Sequence, residues 1–193
     1  MDFISLTQYA GLGGFLFWAL IERGFHLSQQ KQEAGEKQDR GSYGLISLFW
    51  YGSMLFAFLD AWSWELTTFS SSLPLLHVLG VLLIISGLLI RFLARRELGK
   101  EYSVHVKTSE KHQLITSGIY RAVRHPAYLG LLLLFLGIPL SQGSWGGILI
   151  SLAGGFPALV YRITLEEQSL RQWFESEYED YQKTSWRLIP GIW

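Results

Sequence analysis

The chain has 193 residues, of which 49% are hydrophobic, 15% aromatic and only 17% charged. This charged fraction lies well below the roughly 25% of an average soluble domain. Together with a positive mean hydropathy, it argues against a disordered chain and a typical soluble enzyme. The 16 basic and 16 acidic side chains cancel, so the basic excess typical of nucleic-acid-binding proteins is missing. The chain has no cysteine, which excludes thiol nucleophiles and zinc–thiolate sites. Of the classes of protein considered, the composition fits a small membrane protein.

Five apolar windows predict membrane-spanning helices, because about twenty apolar residues cross the roughly 30 Å of bilayer hydrocarbon. The windows are residues 3–21, 45–66, 73–94, 127–140 and 145–161. The fourth window is short, and the polar turn after it predicts that the last two helices form a hairpin. In the fifth, Gly147, Ser151 and Gly155 recur every four residues, which favours close helix packing over flexibility. We therefore predict an all-α, polytopic membrane helix bundle with about five transmembrane helices.

All 16 basic residues fall in three polar segments, residues 22–44, 91–126 and 162–193. With five spans, these segments share one side of the membrane and the N-terminus lies on the other. The positive-inside rule places the segments in the cytoplasm. Residues 27–44 show no periodic apolar face, so they predict a solvated loop or a short frayed helix.

The connector between the third and fourth spans, residues 95–126, is longer than a simple turn requires, and long ordered connections are often functional. Gly99 predicts the C-cap of a helix, and Ser117-Gly118 predicts a turn. The scattered histidines of this region lack the spacing of metal ligands, so no metal site is predicted.

The connector ends in Arg124-His125-Pro126, and a proline suits the first turn of a helix. Arg124 and His125 therefore lie beside a helix N-terminus, where free amide groups and the helix dipole favour an anion. A carboxylate or a phosphate fits such a place. The alternative is a simple helix start at the membrane surface, with Arg124 paired to lipid headgroups.

The tail contains a second group of charges beside the end of the fifth span. Arg162 and Glu166 are four residues apart and share a helix face, with Glu167 on the neighbouring flank. They are either a surface ion pair, which contributes little, or groups that face the bundle interior. Further on, apolar residues recur at helical spacing and predict an amphipathic helix that lies on the interface or closes over the connector: Leu170, Trp173, Phe174, Tyr178 and Tyr181. The two charged groups suggest one cytoplasmic pocket.

These residues resemble two motifs of the isoprenylcysteine carboxyl methyltransferase family and its phospholipid-methyltransferase relatives. The connector resembles the family's first motif at His112, Leu114, Ile115, Gly118, Tyr120, Arg124, His125, Pro126, Tyr128 and Gly130. The tail resembles the closing motif at Arg162, Glu166, Glu167, Leu170, Phe174, Tyr178, Tyr181 and Pro190. The resemblance covers residues 95–193. One departure is Glu175, where the family commonly has glycine, and it suggests either a different local turn or a helix that continues.

The resemblance implies an integral membrane methyltransferase that uses S-adenosylmethionine and releases S-adenosylhomocysteine. The implied acceptor is a lipid-like or prenylated molecule, most directly one with a carboxylate, such as a prenylcysteine C-terminus. The implied surroundings are membrane lipids, and no nucleic-acid partner is implied. Residues 1–94 would then hold three helices and the loop 22–44. Residues 95–193 would form the catalytic half, divided into the connector 95–126, the hairpin 127–165, and the C-terminal helix and tail 166–193.

The resemblance also implies roles for individual residues. The implied cofactor-binding residues are His112, Gln113, Leu114, Tyr120, Arg124, His125, Tyr128, Glu166 and Glu167. The implied catalytic residues are Arg162, which would orient an acidic acceptor, and Glu166, which would fix Arg162 or the cofactor. A carboxylate acceptor needs alignment and removal of water rather than a general base. An amine acceptor would need a base, with Glu166 or His125 as first candidates.

Three other functions stay open on the sequence alone. One is a phospholipid or small-amine N-methyltransferase, and another is a membrane reductase that uses NADPH, because some sterol reductases share a related C-terminal organisation. The third is a non-enzymatic scaffold. The Arg-His-Pro and Glu-Glu motifs favour a methyltransferase. The first two spans carry no family pattern, so the sequence predicts neither the acceptor nor the oligomeric state.

Overall fold

The computed structural model describes residues 3–30, 41–69, 73–99 and 114–193. These residues contain six α-helices, which are α1 (Phe3–Gln30), α2 (Ser42–Leu59), α3 (Pro74–Leu98), α4 (Pro126–Gln142), α5 (Trp145–Ile150) and α6 (Phe156–Thr184). A π-helical turn, Asp60–Trp64, follows α2, and another, Ser151–Gly155, joins α5 to α6. A 3₁₀ turn, Gly118–Arg121, precedes α4.

Four helical stretches are long and apolar enough to cross a membrane: Phe3–Gly24, Ser42–Trp64, Pro74–Leu98 and Trp145–Thr184. The fifth predicted span is α4, which has 17 residues. The predicted all-α membrane bundle is thus confirmed. The last stretch has 40 residues, about twice the length that the hydrocarbon layer requires, so its second half extends beyond the membrane.

The central helix of the bundle is α4, and its interior side chains are fully buried at Leu134, Phe135 and Ile138. It packs most extensively against α3. A Cβ atom added to Gly80 would lie 2.3 Å from the backbone nitrogen of Ser141, and one added to Gly87 would lie 2.7 Å from the carbonyl oxygen of Gly130. Only small residues allow two backbones to approach this closely.

The small-residue face predicted in the fifth span also packs closely, as expected. The hydroxyl of Ser151 lies 2.7 Å from that of Ser53 on α2 and donates to the Phe135 carbonyl at 2.7 Å. A Cβ atom on Gly147 would lie 2.9 Å from the Cβ atom of Ala57. The spacing of these small residues therefore marks a contact with both α2 and α4.

The two ends of the bundle differ in chemistry. At one end, buried Asp60 accepts hydrogen bonds from the hydroxyls of Thr67 and Ser144, each at 2.6 Å, beside the start of α5. At the other end, the starts of α2 and α4 meet the C-terminal part of α3 and the middle of α6. The candidate site lies at this second end.

One predicted boundary changes. Helix α1 continues to Gln30, so the predicted loop 22–44 begins as helix. Gly99 caps α3, as predicted. Residues 31–40 and 100–113 lie outside the described residues, and the predicted site residues His112 and Gln113 are among them.

Candidate active site

The start of α4 and the middle of α6 bring most of the predicted site residues together. Pro126 is the first residue of α4 and His125 is its N-cap, as the sequence predicts. Glu166 and Glu167 lie on α6, which packs beside this start. The two charged groups that the sequence predicts therefore lie next to each other, and their use as one pocket stays a prediction.

Glu167 lies at the centre of a cluster of basic side chains. Its Oε1 atom is 3.3 Å from both His125 Nε2 and Arg124 Nε, and its Oε2 atom is 2.9 Å from an Nη atom of Arg187. Glu167 is only 4% exposed, and a buried carboxylate requires such partners. The cluster ties the start of α4 to both α6 and the tail.

Glu167 comes more than twenty residues after Trp145, where the last span begins. Because about twenty residues of helix cross the hydrocarbon layer, its carboxyl group lies outside that layer. Burial alone raises its pKa. The hydrogen bond with His125 and the positive charges nearby, including those of Arg187 and Arg124, outweigh burial and lower the pKa to about 2. Glu167 is therefore ionised at neutral pH, and its basic partners stay bound to it.

Arg124 is held by protein groups on several sides. Besides Glu167, its Nη1 atom donates to the carbonyl of Gln182 at 3.2 Å and to that of Ser185. Its backbone amide donates to the carbonyl of Trp186 at 2.8 Å, which pairs the tail with the connector. The alternative in which Arg124 contacts lipid headgroups is therefore wrong for this structure.

A second chain of hydrogen bonds runs from α6 to α2. Arg162 donates from Nε to the Tyr128 hydroxyl at 3.0 Å and from Nη1 to the Ser42 hydroxyl at 3.0 Å. The Tyr128 hydroxyl in turn donates to Glu166 Oε2 at 2.6 Å. Arg162 is 2% exposed, so the interpretation of Arg162 and Glu166 as a surface ion pair is wrong.

Glu166 connects the two groups. Its Oε1 atom lies 3.7 Å from His125 Nδ1, while its Oε2 atom binds Tyr128. The side chain of Glu166 is 32% exposed, compared with 5% for that of Glu167. Glu166 is therefore the carboxylate that remains accessible to a ligand.

Beyond Glu166, α6 bends back over the connector. The bend is at Glu175, whose φ of 43° and ψ of −119° are not helical. Past the bend, the Tyr181 hydroxyl donates to the Tyr120 carbonyl at 2.5 Å. Of the two predicted positions for this helix, closure over the connector is the observed one. Of the two predicted consequences of Glu175, the local turn is observed.

Tyr178 is also buried by this closure, and its hydroxyl has no hydrogen-bond partner among the described residues. The hydroxyl interacts electrostatically with Glu167 and Arg124. A buried hydroxyl without a partner among the described residues leaves a hydrogen bond that a water molecule or a ligand can make. Tyr178 therefore extends the candidate site toward the inside of the bend.

Of the remaining predicted residues, Tyr120 is buried under α6 and Leu114 is half-buried where the described part of the connector begins. Three further residues of the site are not among those predicted from the sequence: Arg187, Ser42 and Tyr178. Arg187 can be noticed in the sequence, because it is a single charged residue between the apolar residues Trp186 and Leu188. Nothing near Ser42 in the sequence marks its contact with Arg162, which is 120 residues away.

Comparisons with known proteins identify relatives of this chain. The family model for phospholipid methyltransferase matches residues 75–177, more than half of the chain. A protein-S-isoprenylcysteine O-methyltransferase from Dictyostelium discoideum is 32% identical, with 72% of this chain and 60% of that protein aligned. One from Saccharomyces cerevisiae is 33% identical, with 72% and 57% aligned. The chain thus spans about three fifths of the length of these relatives.

Among solved structures, the chain is similar to the eukaryotic intramembrane Ras methyltransferase, isoprenylcysteine carboxyl methyltransferase. The TM-score is 0.60 at 25% sequence identity, over 76% of this chain and 52% of that one. The family match includes α4 and the part of α6 that carries Arg162, Glu166 and Glu167. The chain belongs to the phospholipid methyltransferase family of integral membrane proteins.

Proposed function

We propose that this protein is an S-adenosylmethionine-dependent methyltransferase that methylates a carboxylate on a lipophilic acceptor, such as a prenylated cysteine. The observation that carries the proposal is the buried Arg162, which two hydroxyls and the Tyr128–Glu166 contact hold at one end of the bundle. A guanidinium so oriented suits a planar carboxylate. The names of the curated relatives support the same reaction.

The residues present fit the proposed cofactor. Its methionine part carries a carboxylate and an ammonium group, and the site offers groups of both signs within one cluster. Arg124 and the start of α4 suit the carboxylate, and the accessible Glu166 suits the ammonium group. The Tyr178 hydroxyl, which has no hydrogen-bond partner among the described residues, adds a donor inside the bend of α6.

S-adenosylmethionine, when bound, supplies an electrophilic methyl group. Arg162 binds and orients the acceptor carboxylate, and Tyr128 and Ser42 hold Arg162 in place. The buried surroundings of Arg162 exclude water from the carboxylate, which is already a nucleophile at neutral pH. Alignment and desolvation are therefore the contributions that this chain makes to the reaction.

In this proposal the three basic segments and the site face the cytoplasm, and the N-terminus lies on the opposite side. The sorting of the basic residues supports this orientation. The soluble cofactor then reaches the site from the cytoplasm, and the lipophilic acceptor arrives from the membrane.

A second candidate is N-methylation of an amine, such as an ethanolamine phospholipid. The partial exposure of Glu166, 3.7 Å from His125, favours it, because an amine acceptor needs a base to take its proton. The matching family model also carries the name phospholipid methyltransferase. The two candidates differ in what they require of Arg162.

The test is transfer of a labelled methyl group by the reconstituted protein to a prenylcysteine analogue or to an ethanolamine phospholipid. We expect the carboxylate to be methylated, and Arg162→Gln to lower its transfer about a hundredfold or more, as loss of an oriented donor does. Binding of S-adenosylhomocysteine by Arg162→Gln should stay close to that of the unaltered protein.

Arg171 is exposed on the same helix and provides the matched control. Arg171→Gln should leave transfer unchanged. Methylation of the amine alone would replace the carboxylate proposal with the second candidate. If Arg162→Gln lost S-adenosylhomocysteine binding and methyl transfer equally, Arg162 would instead be assigned to the cofactor site.

A further inference from the structure

The chain after α6 folds back on itself and returns an aromatic ring toward the candidate site. The backbone amides of Leu188 and Ile189 donate to the backbone oxygen of Trp193 at 2.8 and 2.9 Å. Gly191 has a φ of 79°, in the left-handed region that glycine adopts most easily, and so allows this turn. Leu188 is fully buried in the core of the bundle, and Trp193 packs against that core. This turn, which we call the tail turn, is therefore a fixed part of the fold.

The ring of Trp193 lies over the side chain of Arg187. The central carbon of the guanidinium group, Cζ, is 4.7 Å from the centroid of the ring. A guanidinium at this distance is attracted to the face of an indole ring. The Nη2 atom of Arg187 donates to the Thr164 hydroxyl at 3.2 Å and lies 2.9 Å from Glu167 Oε2. Arg187 is therefore held by a ring of the tail turn and by a hydroxyl and a carboxylate of α6.

Through Arg187, the tail turn acts on the orientation of Glu167. The Oε2 atom of Glu167 contacts Arg187, and its Oε1 atom is 3.3 Å from two further basic groups, His125 Nε2 and Arg124 Nε. Because both oxygens have partners, rotation of the carboxylate would break contacts at each of them. Arg124 and His125 lie at the start of α4, where the proposed function places the carboxylate of the cofactor. The geometry of that place consequently depends on Arg187.

A backbone contact brings two arginines to the same carboxylate. The Trp186 amide donates to the Ala122 carbonyl at 2.9 Å, and the Arg124 amide donates to the Trp186 carbonyl at 2.8 Å. Val123 and Trp186 form a parallel bridge. Arg124 directly follows one of these two residues, and Arg187 directly follows the other. The tail is thereby attached to the connector beside the site, immediately before the tail turn begins.

We propose that Trp193 and Arg187 are positioning residues for the cofactor site. The Trp193 ring holds Arg187 against Glu167. Glu167 in turn keeps Arg124 and His125 in the orientation that binds the methionine carboxylate of S-adenosylmethionine. In this role neither Trp193 nor Arg187 contacts the reacting atoms, so neither is a catalytic residue. The inference rests on the proposed function, because it requires S-adenosylmethionine to bind at the start of α4.

The experiment is calorimetric titration of the full chain in detergent with S-adenosylhomocysteine, which yields an affinity and a number of sites per chain. Trp193→Leu removes the aromatic face and should weaken binding about threefold, as loss of a cation–π contact does. Trp193→Phe also shrinks the side chain but retains an aromatic face, so its affinity should stay close to that of the unaltered protein. The number of sites should be the same in all three proteins, because positioning changes the affinity of molecules that are folded.

Substitutions of Arg187 test the next contact. Arg187→Gln removes the charge and should weaken binding about tenfold, as loss of a hydrogen bond to a charged group does. Arg187→Lys keeps the charge and should recover only part of this affinity, because lysine lacks the planar guanidinium group. Trp173 and Arg171 are exposed on α6 and provide matched controls. Trp173→Leu and Arg171→Gln should leave binding unchanged.

Hydrogen exchange of the cofactor-free protein supplies a second measurement. The Tyr128 and Leu129 amides donate to the His125 carbonyl at 3.1 and 3.0 Å, within the first turn of α4. Peptides that cover this turn should exchange faster in Trp193→Leu than in Trp193→Phe, because loss of the aromatic face loosens the chain of contacts from the ring to His125.

Three results would overturn the proposal: equal affinities of Trp193→Leu and Trp193→Phe, equal exchange in these two variants, or fewer sites with an unchanged affinity. The last result would mean that the tail turn only stabilises the fold. Absence of saturable binding in the unaltered protein would contradict the proposed function and this role together. Saturable binding that neither Trp193→Leu nor Arg187→Gln weakens would contradict this role alone.

Discussion

Tyr178 and Tyr181 lie within one turn of each other on α6, and both are buried, yet their hydroxyl groups differ. Tyr181 donates to the Tyr120 carbonyl, whereas Tyr178 has no partner in the part of the chain that the structure describes. A hydroxyl that makes an internal hydrogen bond stabilises the fold. A hydroxyl that forms its hydrogen bond with a ligand contributes to binding instead.

Phenylalanine substitutions separate these two roles. Tyr181→Phe should lower the free energy of unfolding by about 1–2 kcal/mol, because it leaves the Tyr120 carbonyl unpaired. Tyr178→Phe should leave that free energy nearly unchanged and weaken S-adenosylhomocysteine binding about tenfold, the value of one hydrogen bond to a charged ligand. Thermal unfolding and calorimetric titration of both variants measure the two effects.

The same pair provides its own control, because each variant removes one hydroxyl from one buried tyrosine. Equal destabilisation by both substitutions would assign Tyr178 an internal partner. It would then remove Tyr178 from the candidate site.

At the scale of a single residue, the sequence indicates which residues belong to the site better than it indicates which residues they contact. The proline at position 126 correctly marks a helix start, with the basic residues Arg124 and His125 beside it. Their observed partner, Glu167, is more than forty residues away, and no local spacing encodes that contact. The role of His125 in cofactor binding stays a prediction, since its observed contact is with Glu167.

At the scale of elements, the bend in α6 is the feature that closes the site. The dihedral angles of Glu175, 43° and −119°, are close to those of the first central residue of a type II′ turn, about 60° and −120°, where glycine dominates. A residue with a side chain is strained there by about 1–3 kcal/mol. Glu175 is exposed, so this strain has no visible compensation in packing.

Glu175→Gly should therefore raise the free energy of unfolding by about 1 kcal/mol, after the cost of glycine's greater freedom in the unfolded chain. Glu177→Gly removes the same charge from a regular, exposed helical position nearby, and it should lower the free energy by about 1 kcal/mol. Chemical denaturation in detergent compares the two variants. Destabilisation by Glu175→Gly as large as that by Glu177→Gly would mean that the bend does not strain residue 175.

Helix packing was predictable where small residues recur within one turn and much less so elsewhere. The spacing of Gly147, Ser151 and Gly155 marks a contact face directly. The α3–α4 contact uses glycines spaced seven apart on each helix, Gly80 with Gly87 and Gly130 with Gly137. That longer repeat becomes a signal only when the two helices are already known to be neighbours.

At the scale of the whole molecule, charge and hydropathy predict the architecture because the membrane imposes both. Spans must be apolar, and basic segments collect on one side. What these patterns do not predict is the ordering of helices around α4, since contacts such as Arg162 with Ser42 join residues 120 positions apart. The acceptor is equally unpredictable, because the first two spans lie outside the family match.

The proposed orientation can be tested without background labelling, because the chain has no cysteine. Ser63 is exposed at the end of the bundle opposite the site, and Ser176 is exposed just past the bend. In sealed right-side-out vesicles, a membrane-impermeant maleimide should label Ser63→Cys directly. It should label Ser176→Cys only after permeabilisation, and the reverse pattern would contradict a cytoplasmic site.

In the proposed function, the cluster around Glu166 and Glu167 binds the cofactor of a methyltransferase. The most direct test of this function is calorimetric titration of the detergent-solubilised protein with S-adenosylhomocysteine and, separately, with NADPH. We expect one saturable site for S-adenosylhomocysteine, weakened by His125→Ala and Glu167→Ala in variants that remain folded, and no binding of NADPH. A folded protein that binds NADPH, or that binds S-adenosylhomocysteine equally well without His125 and Glu167, would contradict it.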